Sequence, residues 1–134
     1  MTEVIAFPSA EAEARGYLLV RLAARGDTAK VLTNVPATRP PRFVRLRRLG
    51  GVMADLVTDA PMLTVECWAP TEIEAEALAR LVRAEFYAMP EHDFASTTCR
   101  DVTEVSGPVN QPDPDANTPR YVFTVILNLR GYVL

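Results

Sequence analysis

Apolar and polar positions alternate with a period of two in several stretches of this chain and recur at helical spacing in two others. The clearest junction of the two patterns lies between Met62 and Met89. In MLTVECW, Leu63, Val65 and Cys67 fall on one side of an extended strand, and Thr64, Glu66 and Trp68 on the other. After the corner at Ala69-Pro70, Thr71 and Glu74 form a T-x-x-E capping box. Ile73, Ala77, Leu78, Leu81, Val82 and Phe86 then recur at helical spacing. Glu76 and Arg80 form a favourable pair one turn apart, and Pro90 ends the helix. The strand and helix together are the unit the rest of the chain covers or extends.

An earlier helix is predicted from Ser9 to Ala24. Ser9 is its N-cap, and Ala10, Ala14, Tyr17, Leu18 and Leu22 form its apolar face. Glu11 and Arg15 are spaced to pair on its surface. Gly16 inside it costs about 1 kcal/mol relative to alanine, a cost that close packing against another element would explain. Arg25-Gly26-Asp27 reads as its C-cap rather than an adhesion signal.

Short strands are predicted at Lys30–Val35, Phe43–Leu49, Val52–Thr58, Thr98–Val105 and Tyr121–Leu129. Gly50-Gly51 and Asp59-Ala60-Pro61 are expected to be turns, so that a hairpin feeds the Met62–Trp68 strand. The segment SGPVNQPDPDANTP, Ser106 to Pro119, reads as a long loop. The last strand is apolar on both faces, which predicts a central position covered twice, by a helix or by another subunit. The expected fold is α+β: one domain over residues 1–134, a mainly antiparallel or mixed sheet, two main helices packed on it and a protruding β-hairpin.

The length of 134 residues suits one core. A net charge of −3 argues against whole-surface attraction to nucleic acid or membrane. No apolar run approaches the roughly 20 residues needed to span a bilayer. The acidic start, MTEVIAFPSAEAEAR, lacks a leader pattern, so synthesis in the cytosol is expected. Cys67 and Cys99 sit in apolar strand-like runs and are expected to be buried thiols, disulfide-bonded only if their strands are neighbours. The spacing of cysteines and of the single histidine is not that of a metal site, and no phosphate loop, nucleophile elbow or H-E-x-x-H is present. No cofactor and no catalytic residue are expected.

Charge is concentrated in one run. Arg39, Arg42, Arg45, Arg47 and Arg48 are five of the 14 basic residues. A solvated hairpin face is the ordinary fate of such a run, and contact with a polyanion or an acidic protein surface is the functional alternative. Glu66 lies mid-strand between apolar neighbours and needs a cation, with Arg45, Arg47 and Arg48 the nearest in sequence. Asp113 and Asp115 give the late loop an acidic character, so basic hairpin and acidic loop are complementary across a head-to-tail ring.

The order of segments also carries a family resemblance. Phe7-Pro8 leads into a helix, a proline-rich link follows, then FVRLRRLGG, LTVECWAPTEIEAEALARLVRA and SGPVNQPDPDANTPRYVFTVILNLRG. This order resembles the tail terminator proteins of long-tailed bacteriophages over most of the chain. The strongest pieces are Arg47 to Gly51, Glu66-Cys67-Trp68-Ala69, and Pro112-Asp113-Pro114 with Arg120-Tyr121. The resemblance implies a small α/β domain that forms a ring, typically a hexamer, on the head-proximal end of the tail tube in the virion, after assembly in the host cytoplasm. Such a ring stops polymerisation of the major tail tube protein and offers a docking surface for the head-tail connector protein. Double-stranded DNA passes through its lumen unread. No catalysis, cofactor or membrane contact is implied. The family supplies no short motif, so the expected subunit-interface or lumen residues are chosen on charge: Arg42, Arg45, Arg47, Arg48, Glu66, Asp113, Asp115 and Arg120. Three alternatives stay open. They are another neck or head-closure ring, an enzyme using His92 with Glu91 or Asp93, and a small α/β domain binding a ligand between helix and sheet.

Overall fold

The computed structural model describes residues 3–92 and 98–134. Its elements are β1 (Ile5–Ala6), α1 (Ala10–Ala24), β2 (Lys30–Leu32), β3 (Phe43–Asp55), β4 (Thr58–Trp68), α2 (Glu72–Ala88), a 3₁₀ turn (Met89–Glu91), β5 (Cys99–Asn110), β6 (Arg120–Arg130) and β7 (Tyr132–Val133). Five strands form one sheet in the order β2-β3-β4-β6-β5, and β1 pairs with β7 in a separate two-stranded ribbon. Only the β2–β3 pairing is parallel; β3–β4, β4–β6 and β5–β6 are antiparallel. The fold is therefore a small α+β domain with two helices on a mixed sheet.

Both helices lie on the same face of the sheet. Val44, Leu46, Leu63, Val65, Cys67, Phe123, Val125, Leu127 and Leu129 point towards them, each at alternate strand positions. From α1 the core takes Ala10, Ala14, Tyr17, Leu18 and Leu22, the stripe read from the sequence. From α2 it takes Ala75, Leu78, Ala79, Val82 and Phe86. The buried stripe of α2 is rotated from the expected one: Ala77 is exposed, and Ile73 is 83% exposed. Ile73 thus points to solvent, while Ala75 in the same turn is buried.

The capping residues act as their types predict. Ser9 accepts from the Ala12 amide, and Thr71 from the Glu74 amide. Asp27 N–H donates to Leu22 O and Gly26 N–H to Ala23 O, the pattern of a Schellman C-cap, with Gly26 at φ +71. Glu11 and Arg15 are drawn elsewhere than to each other. Glu11 accepts the Arg48 amide at 2.9 Å, and Arg15 Nε donates to Val31 O at 2.8 Å.

Gly16 does not mark a close approach. A Cβ at this position would meet nothing within 4 Å. Gly16→Ala is therefore expected to raise stability by about 1 kcal/mol, through helix propensity and a less flexible unfolded chain. A denaturant midpoint unchanged or lowered would contradict this.

Four turn and loop assignments differ from the sequence reading. Gly50-Gly51 is not a turn but a bulge inside β3, where the register to β4 shifts between Arg48 and Gly51. Both glycines have positive φ, +76 and +92, which carries the strand through the extra residue. A Cβ on Gly51 would also overlap the carbonyl oxygen of Ala60. Val52 to Asp55 consequently continue β3 instead of returning, and the hairpin turns at Leu56-Val57. Asp59-Ala60-Pro61 is not a turn either; it lies within β4. Pro61 sits opposite the bulge at Gly51, and the β4–β6 pairs pass from Asp59 to Met62 without it. Ser106 to Asn110 belong to β5, whose register shifts around Ser106 absorb Gly107 and Pro108. The real loop is 111–119, closed on itself by an Asp113–Thr118 bridge.

β6 is central, between β4 and β5. Only one of its faces is covered by helices. On the other, Val122, Thr124, Ile126 and Asn128 are half-buried. Cys67 and Cys99 are on strands separated by β6, so they are not neighbours. Cys67 is level with Tyr121 and Cys99 with Leu129, eight positions along β6. That is roughly 26 Å of strand, far beyond the reach of a disulfide. Both are buried free thiols. Burial pushes the Cys99 thiol up to about 11 and raises Cys67 as well, so neither is a ready nucleophile.

Candidate functional site

The helix-free face of the sheet carries the charged constellation. Here β3 supplies Phe43, Arg45 and Arg47, β4 supplies Glu66 and Trp68, and β6 supplies Arg120, all at alternating positions on the side away from the core. Phe43 and Trp68 lie opposite each other in the ladder and stack at 4.5 Å, nearly parallel at 8°. Both rings are buried although no helix covers them. The 111–119 loop reaches over: Trp68 Nε1 donates to Asp113 Oδ2 at 3.3 Å. Arg39 donates to the same oxygen at 2.7 Å. The Arg45 and Arg120 guanidinium groups sit 5.9 and 5.4 Å from the Trp68 ring centre.

Glu66 is the anion at the centre of this layer. Arg45 grips it with two bonds, Nε at 2.5 Å and Nη2 at 2.8 Å. Arg120 Nη1 stands 3.9 Å away on the other side. The pairing expected of Glu66 is thus with Arg45, its cross-strand neighbour. The hydrogen bond to Glu66 holds the Arg45 guanidinium above its ordinary range.

The remaining predicted residues divide by what they touch. Arg42 pairs with Asp27 at the α1 C-cap. Arg48 pairs with the buried Asp59 at 3.1 Å and donates to Gly50 O, so it braces the bulge. Asp115 is exposed, and its amide donates to Asp113 Oδ1 at 3.0 Å. Arg47 is exposed and pairs with no described acidic residue. Arg39, Arg42, Arg45 and Arg48 therefore serve intrachain contacts, and Arg47 is the cation of the run left facing outwards.

Asp113 joins the loop to the sheet, and its chemistry gives a pH signature. The Arg39 hydrogen bond lowers its carboxyl to about 2, with the Asp115 amide and Trp68 adding to it against burial. A depressed folded value means stability that is present above the ordinary value of 3.8 and is lost as pH falls through about 2. Stability is expected to decline between those limits, and Asp113→Asn to flatten that decline. Equal acid slopes in the two proteins would contradict the assignment.

Another buried carboxylate has no counterpart in the sequence reading. Glu85 on α2 is 1% exposed. Arg21 and Arg25 of α1 each donate to it, at 2.9 and 2.6 Å. Tyr17 donates to its backbone oxygen at 2.6 Å. Burial pushes the Glu85 carboxyl up, but the two arginine hydrogen bonds outweigh it and leave it below the ordinary range. Burial, with Glu85 beside it, raises the Tyr17 phenol to about 12. The signal was present: Glu85 falls seven residues after Leu78 and three after Val82, on the apolar stripe. This cluster fastens one helix to the other.

His92 packs against Tyr17, ring centres 5.8 Å apart, at the end of the 3₁₀ turn. Asp93, its suggested partner, lies outside the described residues. Among the described residues no group of three or more His, Cys, Asp or Glu is placed to hold a metal ion. No helix is long and apolar enough to cross a membrane.

Val20, Ile73, Tyr87, Val105 and Val109 are exposed singly on the helices and β5, but most of the exposed large apolar side chains lie at one end of the sheet. Leu49, Val52, Met53, Leu56 and Val57 line the distal part of the β3–β4 hairpin, and Val4, Tyr132, Val133 and Leu134 the adjoining β1–β7 ribbon. The two are joined by Gly131 N–H donating to Val57 O at 2.8 Å. An open groove of about 520 Å³ runs beside α1, lined by Ala12, Arg15, Gly16, Leu32, Thr33 and Asn34 among others. No protein-family model matches the chain, and no curated protein is detectably similar to it.

Proposed function

We propose that this chain is a structural virion protein of a long-tailed bacteriophage, a tail terminator. It forms a homo-oligomeric ring, six copies in the family it resembles, on the head-proximal end of the tail tube. The ring ends polymerisation of the tube protein and presents a surface to the head connector, and double-stranded DNA passes through its lumen without being read. One observation carries this reading beyond the resemblance in segment order. Among the described residues, nine of the 14 exposed large apolar side chains lie on the hairpin and the terminal ribbon, at one end of the sheet. Such a collection marks a surface that is hidden by assembly. The small α+β fold is the kind the resemblance implies, and the intrachain ion pairs of the arginine run suit a rigid building block.

The test is a tail-tube elongation assay with native mass spectrometry. Purified chain is added to polymerising tube protein of the same phage, and tube length and bound copies are read. Short capped tubes bearing a ring at one end are expected. Tubes of unaltered length with no bound chain would overturn the reading. Unaltered tubes beside a ring that binds only the head connector would move the protein to the neck.

A further inference from the structure

We infer that copies of this chain join head to tail, with the β3–β4 hairpin tip of one seated in the open groove beside α1 of the next. This rests on the assembly reading and names the contact that builds the ring. The knob and the groove are on the same chain and differ in character, as a heterologous interface requires. On the knob, Val52 is 78% and Leu56 79% exposed, with Met53 beside them. The groove has a mixed lining, with Ala12, Gly16 and Leu32 its apolar part among Ser9, Thr33 and Asn34. The missing side chain of Gly16 deepens it, since a Cβ there would meet nothing within 4 Å.

The hairpin cannot fill its own groove. The groove sits beside the Arg48 level of β3, where Glu11 of the groove wall accepts the Arg48 amide. The tip begins at Asp55, seven residues further on, roughly 23 Å along the strand. Only another copy brings the two together. Asp55 is an exposed acid at the tip. The groove is lined by one cation, the exposed Arg15, and one acid, Glu11, whose carboxylate already accepts the Arg48 amide, which leaves Arg15 as the charge that Asp55 can meet. The opposite sheet edge is guarded instead. β5 has three register shifts and contains Pro108, features that discourage strand addition.

The experiment uses the full chain and two exposed-site variants, Gly16→Trp to fill the groove and Leu56→Asp to spoil the knob. Ala12→Trp and Met53→Asp are second variants of each kind, and circular dichroism verifies folding. Native mass spectrometry at rising concentration is expected to show assembly of the wild type and monomers of each variant. Mixing Gly16→Trp with Leu56→Asp leaves one intact knob and one intact groove, so the mixture is expected to give a dimer and nothing larger. Folded variants that assemble like wild type would overturn the inference while leaving a ring built through another surface. Monomeric variants whose mixture gives no dimer would overturn the pairing of these two surfaces. A wild type that stays monomeric to its solubility limit would also overturn it, and the tail reading would then stand or fall on the elongation assay alone.

Discussion

Trp68→Ala is expected to lower stability by about 3–5 kcal/mol, the range for truncating a large buried aromatic. The domain's whole stability is on the order of 5–15 kcal/mol, so this variant should unfold far earlier in denaturant. The reason lies in the position of the ring. Trp68 is 1% exposed on the sheet face that no helix covers. It stacks on Phe43, carries the Arg45 and Arg120 cations near its faces, and holds the 111–119 loop through Asp113. Removing it leaves a cavity under a loop and leaves Asp113 without one of its donors. Trp68→Phe separates the contributions. It keeps a ring stacked on Phe43 but loses the Nε1–H bond, worth about 1 kcal/mol, and part of the indole volume, so its loss should lie between that and the cost of Trp68→Ala. The transitions should be followed by far-ultraviolet circular dichroism, because Trp68 is the only tryptophan. A Trp68→Ala protein within about 1 kcal/mol of wild type would mean that the loop does not seal this face.

Glu66→Ala is expected to cost about 3 kcal/mol, the lower end of the loss on breaking a buried ion pair. The lower end applies because the stranded cations retain some water: the Arg45 and Arg120 side chains are 20% and 13% exposed. Without Glu66, the Arg45 and Arg120 guanidinium groups beside Trp68 lose the carboxylate that lies between them. The pair is not a large net source of stability, however, since desolvating both charges offsets most of their attraction. Replacing Glu66 and Arg45 together by leucine and methionine should therefore recover much of the single-variant loss. A double-mutant cycle measures this directly. A Glu66→Ala cost below about 1 kcal/mol would place the pair among ordinary surface salt bridges.

The helices were legible because their signals are local. Ser9 and Thr71 are caps in the sequence and in the fold, and the α1 stripe is the core stripe. The alternation in Met62–Trp68 placed Glu66 and Trp68 on the face opposite Leu63, Val65 and Cys67, where they are found. The hairpin was misread because its punctuation misleads. Glycines at 50 and 51 make a bulge, Pro61 sits within a strand opposite it, and the turn is made by Leu56 and Val57, apolar residues with no turn chemistry. The same physics hid the end of β5, where Gly107 and Pro108 are absorbed by register shifts. Which arginine meets which acid was legible only in part. Hairpin proximity narrowed the partner of Glu66 to Arg45, Arg47 or Arg48, and the cross-strand register selects Arg45. Arg39 with Asp113, and Arg21 and Arg25 with Glu85, depend on contacts between residues 60 or more positions apart. No local pattern encodes those.

The β1–β7 ribbon makes the backbone almost a closed circle. Ile5 lies opposite Val133, Ala6 opposite Tyr132, and the Leu134 amide donates to Val4 O at 2.9 Å. Both ends of the described chain emerge side by side, next to the hairpin. A fusion partner attached at either end would crowd the same corner, so moving a tag from one end to the other would not relieve interference there. A short linker joining the ends, with new ends opened in the 111–119 loop, would clear that corner while keeping every strand neighbour in place.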